Sequence, residues 1–153
     1  MKPLNLPKES QEALLNGASI FLVPIVYSEL ILKNSKVYKP NWTGNDYGEI
    51  EIKSPYQIGD KVYLQEYVEM SREGYYESEE IKPSQCGYKI IIKDIKIIRV
   101  QDLDVNDVIN LRIECNGENW KIFYDDIEKW YNKQYKNYDE NPYIFLYEVE
   151  RIK

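Results

Sequence analysis

The chain has 153 residues, 43% of them hydrophobic and 30% charged, enough for one domain with a real core. It contains no histidine, which excludes a His base, a His metal ligand and a Ser-His-Asp triad. The formal net charge is −6 with four arginines, Arg72, Arg99, Arg112 and Arg151, so average electrostatics do not favour a phosphate-gripping face.

Residues 7–16, "PKESQEALLN", read as a short helix. Pro7 suits the first turn, Glu9 and Glu12 suit the positive end of the dipole, and Gly17 is a natural stop. Residues 18–27, "ASIFLVPIVY", predict a buried strand with Pro24 at its end or at a bulge. Residues 33–48 read as a loop with Trp42 near the surface, and "EIEIK" at 49–53 as a short strand. Tyr56 to Asp60 form a turn in which Gly59 is free to take positive φ. A strand follows over 61–69. Val62, Leu64, Glu66 and Val68 fall on its core face, and Lys61, Tyr63, Gln65, Tyr67 and Glu69 on the other. Tyr63 and Tyr67 are expected to pack under a helix or meet solvent.

The polar stretch 70–87, "MSREGYYESEEIKPSQCG", reads as a mobile loop. "YKIIIKDIKIIRV" at 88–100 predicts a long strand, or two strands joined by a bulge near Asp94, where the alternation changes phase. Asp104 then caps a helix over 105–112, with Asp107 at its third position. Asn116-Gly117 marks a turn. Residues 120–136 give the clearest helix, with Phe123, Ile127, Trp130 and Gln134 on one stripe and Phe123 and Trp130 in the core. "NPYIFLYEVERI" at 141–152 closes the chain as a strand. The expected architecture is α+β: about five or six strands in a curled sheet or small barrel, flanked by three helices.

No apolar run reaches the roughly 18 residues that span a bilayer. The first ten residues lack the pattern of a secretory signal, so a cytoplasmic protein with no membrane contact is expected. Cys86 and Cys115 fit neither a C-x-x-C metal site nor a disulfide framework. Asp102, Asp104 and Asp107 read as helix capping, since their spacing does not match a calcium loop. No metal and no cofactor are implied.

Several segments resemble a known family. "PYQIGDKVYLQEYV" resembles the Gly-Asp-x-hydrophobic-aromatic-x-x-Glu strand of ASCH domains, in the PUA-like barrel superfamily. "MKPLNLPKESQEALLNG" resembles the opening helix of phage-encoded members, "IKIIRVQDLDVNDVINLRIE" their strand-then-helix segment, and "NPYIFLYEVERI" their closing strand. The resemblance covers most of the chain and implies one PUA-like domain over 1–153, with a cleft beside the first helix. ASCH domains are thought to bind RNA or nucleobases. Some members are amidohydrolases that act on acylated cytidine through a lysine, a threonine and a glutamate. Glu66 matches the glutamate. The lysine and threonine belong to a Gly-x-Lys-Thr-x-x-x-Arg-like segment, which here reads "GASIFLVPI". Gly17 is kept, Ser19 and Ile20 replace the lysine and threonine, and Val23 and Pro24 replace the basic pair.

The expectation is therefore a non-catalytic module that binds a nucleobase, nucleotide or single-stranded RNA. Gly17, Ser19 and Glu66 would line the cleft, and Trp42, Tyr75 and Tyr76 would be exposed stacking groups. Glu66 has three readings: an acceptor for a ligand amine, a structural partner of Arg99, Arg151 or backbone N–H groups, or a strand-end carboxylate that reaches water. The alternative function is an acidic protein that inhibits a host nucleic-acid or defence enzyme by filling its basic channel. Retained amidohydrolase activity ranks last.

Overall fold

The computed structural model describes residues 2–27, 29–41, 48–64, 67–69, 76–78, 88–113 and 120–152; for 41, 67–69, 76–78 and 120–123 it describes the backbone alone. In chain order the elements are β1 (Lys2–Leu4), α1 (Lys8–Leu15), β2 (Ile20–Pro24), β3 (Ile31–Lys33), β4 (Lys36–Asn41), β5 (Gly48–Glu51), β6 (Lys61–Leu64), β7 (Tyr67–Glu69), β8 (Tyr76–Ser78), β9 (Lys89–Arg99), α2 (Val105–Leu111), α3 (Trp120–Gln134) and β10 (Tyr143–Ile152). The α+β class is as expected. The described strands number ten rather than five or six, in sheets ordered β1-β6-β9-β10-β2, β3-β4-β5 and β7-β8. Within the first sheet β1 and β2 stand at the edges, so the described pairings do not close it.

The long β9–β10 pairing organises the molecule. Its register runs from Arg99↔Tyr143 to Asp94↔Glu148 and resumes at Ile92↔Val149, which leaves Lys93 as an extra residue. That bulge is the phase change visible in the sequence. Side chains alternate along a strand, so one inserted residue reverses the parity. Tyr88, Ile90 and Ile92 before the bulge, and Ile95 and Ile97 after it, therefore all join one core with Phe145, Tyr147 and Val149. Leu14, Phe21, Val37 and Tyr56 complete that core. On the opposite face Ile20, Leu22, Ile144 and Leu146 pack under Val108 and Leu111 of α2 and Ile127 and Tyr131 of α3. Fully burying an aliphatic or aromatic side chain contributes about 1.5–3 kcal/mol, so these two clusters carry the fold.

Several expectations need correction. Residues 33–41 are not a loop, because β3 and β4 pair from Ile31↔Tyr38 to Lys33↔Lys36 and β4 runs on to Asn41; residues 42–47 of the expected loop lie outside the described residues. Asn34 and Ser35 join them at φ 50° and 63°, the two positive values of a type I′ turn. The turn carries no glycine, and its usual sequence signal is missing. Pro40 lies beyond the part of β4 that β3 pairs with. The 61–69 run is divided between sheets: β6 pairs with β9, while β7 pairs with β8 inside the expected 70–87 loop. Tyr63, assigned to the outer face, is buried in the first core. β1 escaped the pattern because it is three residues long and is ordered by distant partners, chiefly its parallel pairing with β6. Trp130 is half-buried rather than fully in the core, and Tyr131 takes the buried place beside Ile127. Among the described residues, no helix is long and apolar enough to cross a membrane.

Candidate ligand cleft at the end of the first helix

The last turn of α1 is closed from several sides. Ala18 N–H donates to Ala13 O at 2.9 Å and Gly17 N–H to Leu14 O at 3.1 Å, the paired bonds of a Schellman ending. Gly17 holds φ +101°, a conformation that L side chains rarely adopt. The Leu14 carbonyl also accepts from Tyr88 Oη at 2.6 Å. Burial raises the Tyr88 pKa and nearby Arg151 eases it downward, so the phenol is a donor at neutral pH. The Arg151 guanidinium lies over the Tyr88 ring, 4.6 Å from its centroid. Arg112 approaches from the other side. Its Nη2 stands 3.2 Å from where a Cβ on Gly17 would be. Cationic groups near a helix C-terminus complement the dipole, and α1 has no basic residue in its own last turn.

Ser19 is half-buried and ties three elements together. Its N–H donates to Asn110 O at 3.0 Å, and its carbonyl accepts from Val149 N–H at 2.9 Å. Gly17, Ser19, Tyr88 and Arg151 line a cleft of about 280 Å³. On its other side Ser19 borders a polar cavity of about 190 Å³ with Asp94, Lys96, Asp107, Asn110 and Glu148. There burial pushes the Asp107 carboxyl above its ordinary range; the Asp104 backbone N–H opposes the shift, the Asp104 carboxylate adds to it, and Lys96 draws it back a little. Among the described residues none of these carboxylates hydrogen-bonds Ser19. The Ser19 hydroxyl is thus available as a hydrogen-bonding group at the join of the two concavities.

The structure thus brings together Gly17 and Ser19 of the expected site. Glu66, Trp42 and Tyr75 lie outside the described residues. Tyr76 is described by its backbone only, in β8 opposite Glu69. The two arginines considered as partners for Glu66 are at opposite ends of β10: Arg99 lies over Tyr143 at 4.2 Å and donates to Asn141 O at 3.0 Å, while Arg151 covers Tyr88. Sequence reasoning missed Tyr88 and Arg151 as cleft residues and Arg112 as the neighbour of Gly17. For Arg151 a signal existed, because it shares parity with Val149 and Tyr147 and so faces the first core. For Arg112 there was none. It was placed inside a helix, yet it ends α2 in the left-handed region at φ 60°, ψ 38°.

Comparison of the chain with family models, with curated proteins and with solved structures finds no match.

Proposed function

We propose that the chain is a non-catalytic binding module of the ASCH, PUA-like type, acting in the cytoplasm and holding a nucleobase, or the end of a single-stranded RNA, in the cleft beside Gly17. One observation carries the reading: an exposed guanidinium, Arg151, lies over the Tyr88 ring at a cleft of about 280 Å³. Guanidinium planes accept unstacked bases on their open face. The same charge attracts a phosphate locally, in a chain whose net charge is −6. Ser19 adds a hydroxyl for a base edge, and Glu66 would add an acceptor, as the resemblance implies. A small PUA-like barrel belongs to this proposal, supported by the way β4 and the five-stranded sheet share the first core.

Calorimetric titration with nucleosides, nucleoside monophosphates and short RNA and DNA strands tests it. Saturable binding that weakens in Arg151→Ala, Ser19→Ala and Glu66→Gln is expected. A flat titration over the whole panel removes the proposal.

A second reading, the acidic inhibitor of a host enzyme, draws support from the net charge of −6, and a different, apolar face would seat such a partner. Val26, Tyr27 and Ile50 are exposed, Lys39 lies over Tyr27 at 4.4 Å and pairs with Ile50 across β4 and β5. Affinity capture with wild-type protein and Tyr27→Ser separates the two readings. Retention of one nucleic-acid enzyme by the wild type alone favours docking.

A further inference from the structure

A second concavity borders the same helix end. It lies between α1 and α3, measures about 440 Å³, and is lined by Ala13, Asn16, Arg112, Lys129, Trp130 and several paired charges. Asn16 precedes Gly17, and Ala13 precedes Leu14, which belongs to the first cleft. The two concavities therefore flank one turn of helix, with the Arg112 guanidinium at Gly17 between them.

The charges in this second cleft are not equally available. Glu9 holds Lys133 at 2.6 Å. Glu12 holds Lys8 at 3.8 Å. Asp126 is engaged as well. Arg112 and Lys129 form no ion pair among the described residues, and Lys129 is exposed. The half-buried Trp130 supplies an indole to the wall. Among the described residues, what remains for a ligand is thus two cations, an amide from Asn16 and an aromatic surface. A cleft of this size suits one nucleotide, and aromatic rings beside cations are the usual platform for a single strand.

We propose that the α1–α3 cleft is a second subsite: it takes the neighbouring nucleotide of a single strand whose first base sits beside Gly17, and Arg112 holds the phosphate between them. This inference rests on the reading of the Gly17 cleft given above. It adds the polarity of the path, from Arg151 across the helix end to Trp130 and Lys129, and it sets the ligand as a strand rather than a free base.

The test compares ribonucleoside 5′-monophosphates with the matching dinucleotides and tetranucleotides by calorimetry. Wild-type protein should bind the dinucleotide about ten-fold more tightly than the monophosphate, as expected for one added stacked base. Lys129→Glu, a change at an exposed position, should abolish that gain and leave monophosphate binding unchanged. Trp130→Leu, checked for folding by circular dichroism, should do the same. Monophosphate binding with no gain from length overturns the second subsite and leaves the first reading standing, as does a gain that survives Lys129→Glu. No binding of any of these ligands overturns both.

Discussion

Arg112 and Gly17 meet across the end of α1, with Nη2 of the arginine 3.2 Å from the position of a Cβ on the glycine. The glycine is needed here for its backbone before any ligand is considered. At φ +101° a side chain is strained, whereas the tip of Arg112 is flexible and can yield. Gly17→Ala should therefore cost about 1–2 kcal/mol through the backbone. Urea unfolding measures it. A loss within a few tenths of a kcal/mol of zero would show that the helix end does not depend on this conformation.

Arg151 lies over the Tyr88 ring, yet the two are separable by mutation. Tyr88→Phe removes the hydroxyl that donates to Leu14 O and keeps the ring under Arg151. A typical net hydrogen bond is worth about 0.5–1.5 kcal/mol, and a stability loss of that order is expected with ligand binding retained. Arg151→Ala should show the reverse, with a small change in stability and a marked loss of affinity. If both variants lose stability alike and bind alike, Arg151 serves the fold alone.

The capping box at α2 separates structure from metal chemistry. Asp107 N–H donates to Asp104 Oδ1 at 2.8 Å, and Asp104 N–H donates to Asp107 Oδ2 at 3.1 Å. Asp104→Ala should lose about 1 kcal/mol. Asp102→Ala, at an exposed neighbour, should stay within about 0.5 kcal/mol of wild type. Thermal unfolding with and without calcium reads both effects. Stabilisation by calcium that both substitutions abolish would contradict the capping assignment.

Legibility followed the range of the forces involved. The β9–β10 bulge and the Asp104 cap were readable because each is a local pattern: a change of parity within one strand, and an acid three residues from its partner. The Asn34-Ser35 hairpin was not, because its turn uses left-handed non-glycine residues and so gives no Gly signal. The two β strands within 61–69 could not be separated in advance, since sheet partners are chosen by distant strands and both halves alternate alike. Beside the cleft, Gly17 was legible as a helix stop, while Ser19 carries no local pattern of its own. Arg112 became visible only when the Schellman end of α1 and the left-handed end of α2 were seen side by side.

Asp60 gives the protein a predictable acid response. Its Oδ2 accepts from Gln57 N–H at 2.9 Å and from Lys2 Nζ at 3.0 Å, tying β1 to the turn before β6. The Gln57 N–H first, and Lys2 after it, hold this carboxyl below its ordinary range. The unfolded chain therefore takes up the proton at a higher pH than the folded one. Linkage then requires stability to rise with pH across the interval between the two values. The contribution is fully present above the unfolded value of about 4 and is lost as pH falls through the folded one. Asp60→Asn removes the ionisation and keeps one acceptor oxygen. Unfolding free energies measured from pH 6 to pH 2 should show a deficit in the variant that is largest near pH 6 and closes toward pH 2. A deficit that stays constant over the range would mean that the amide fits the turn poorly and that ionisation of Asp60 contributes nothing.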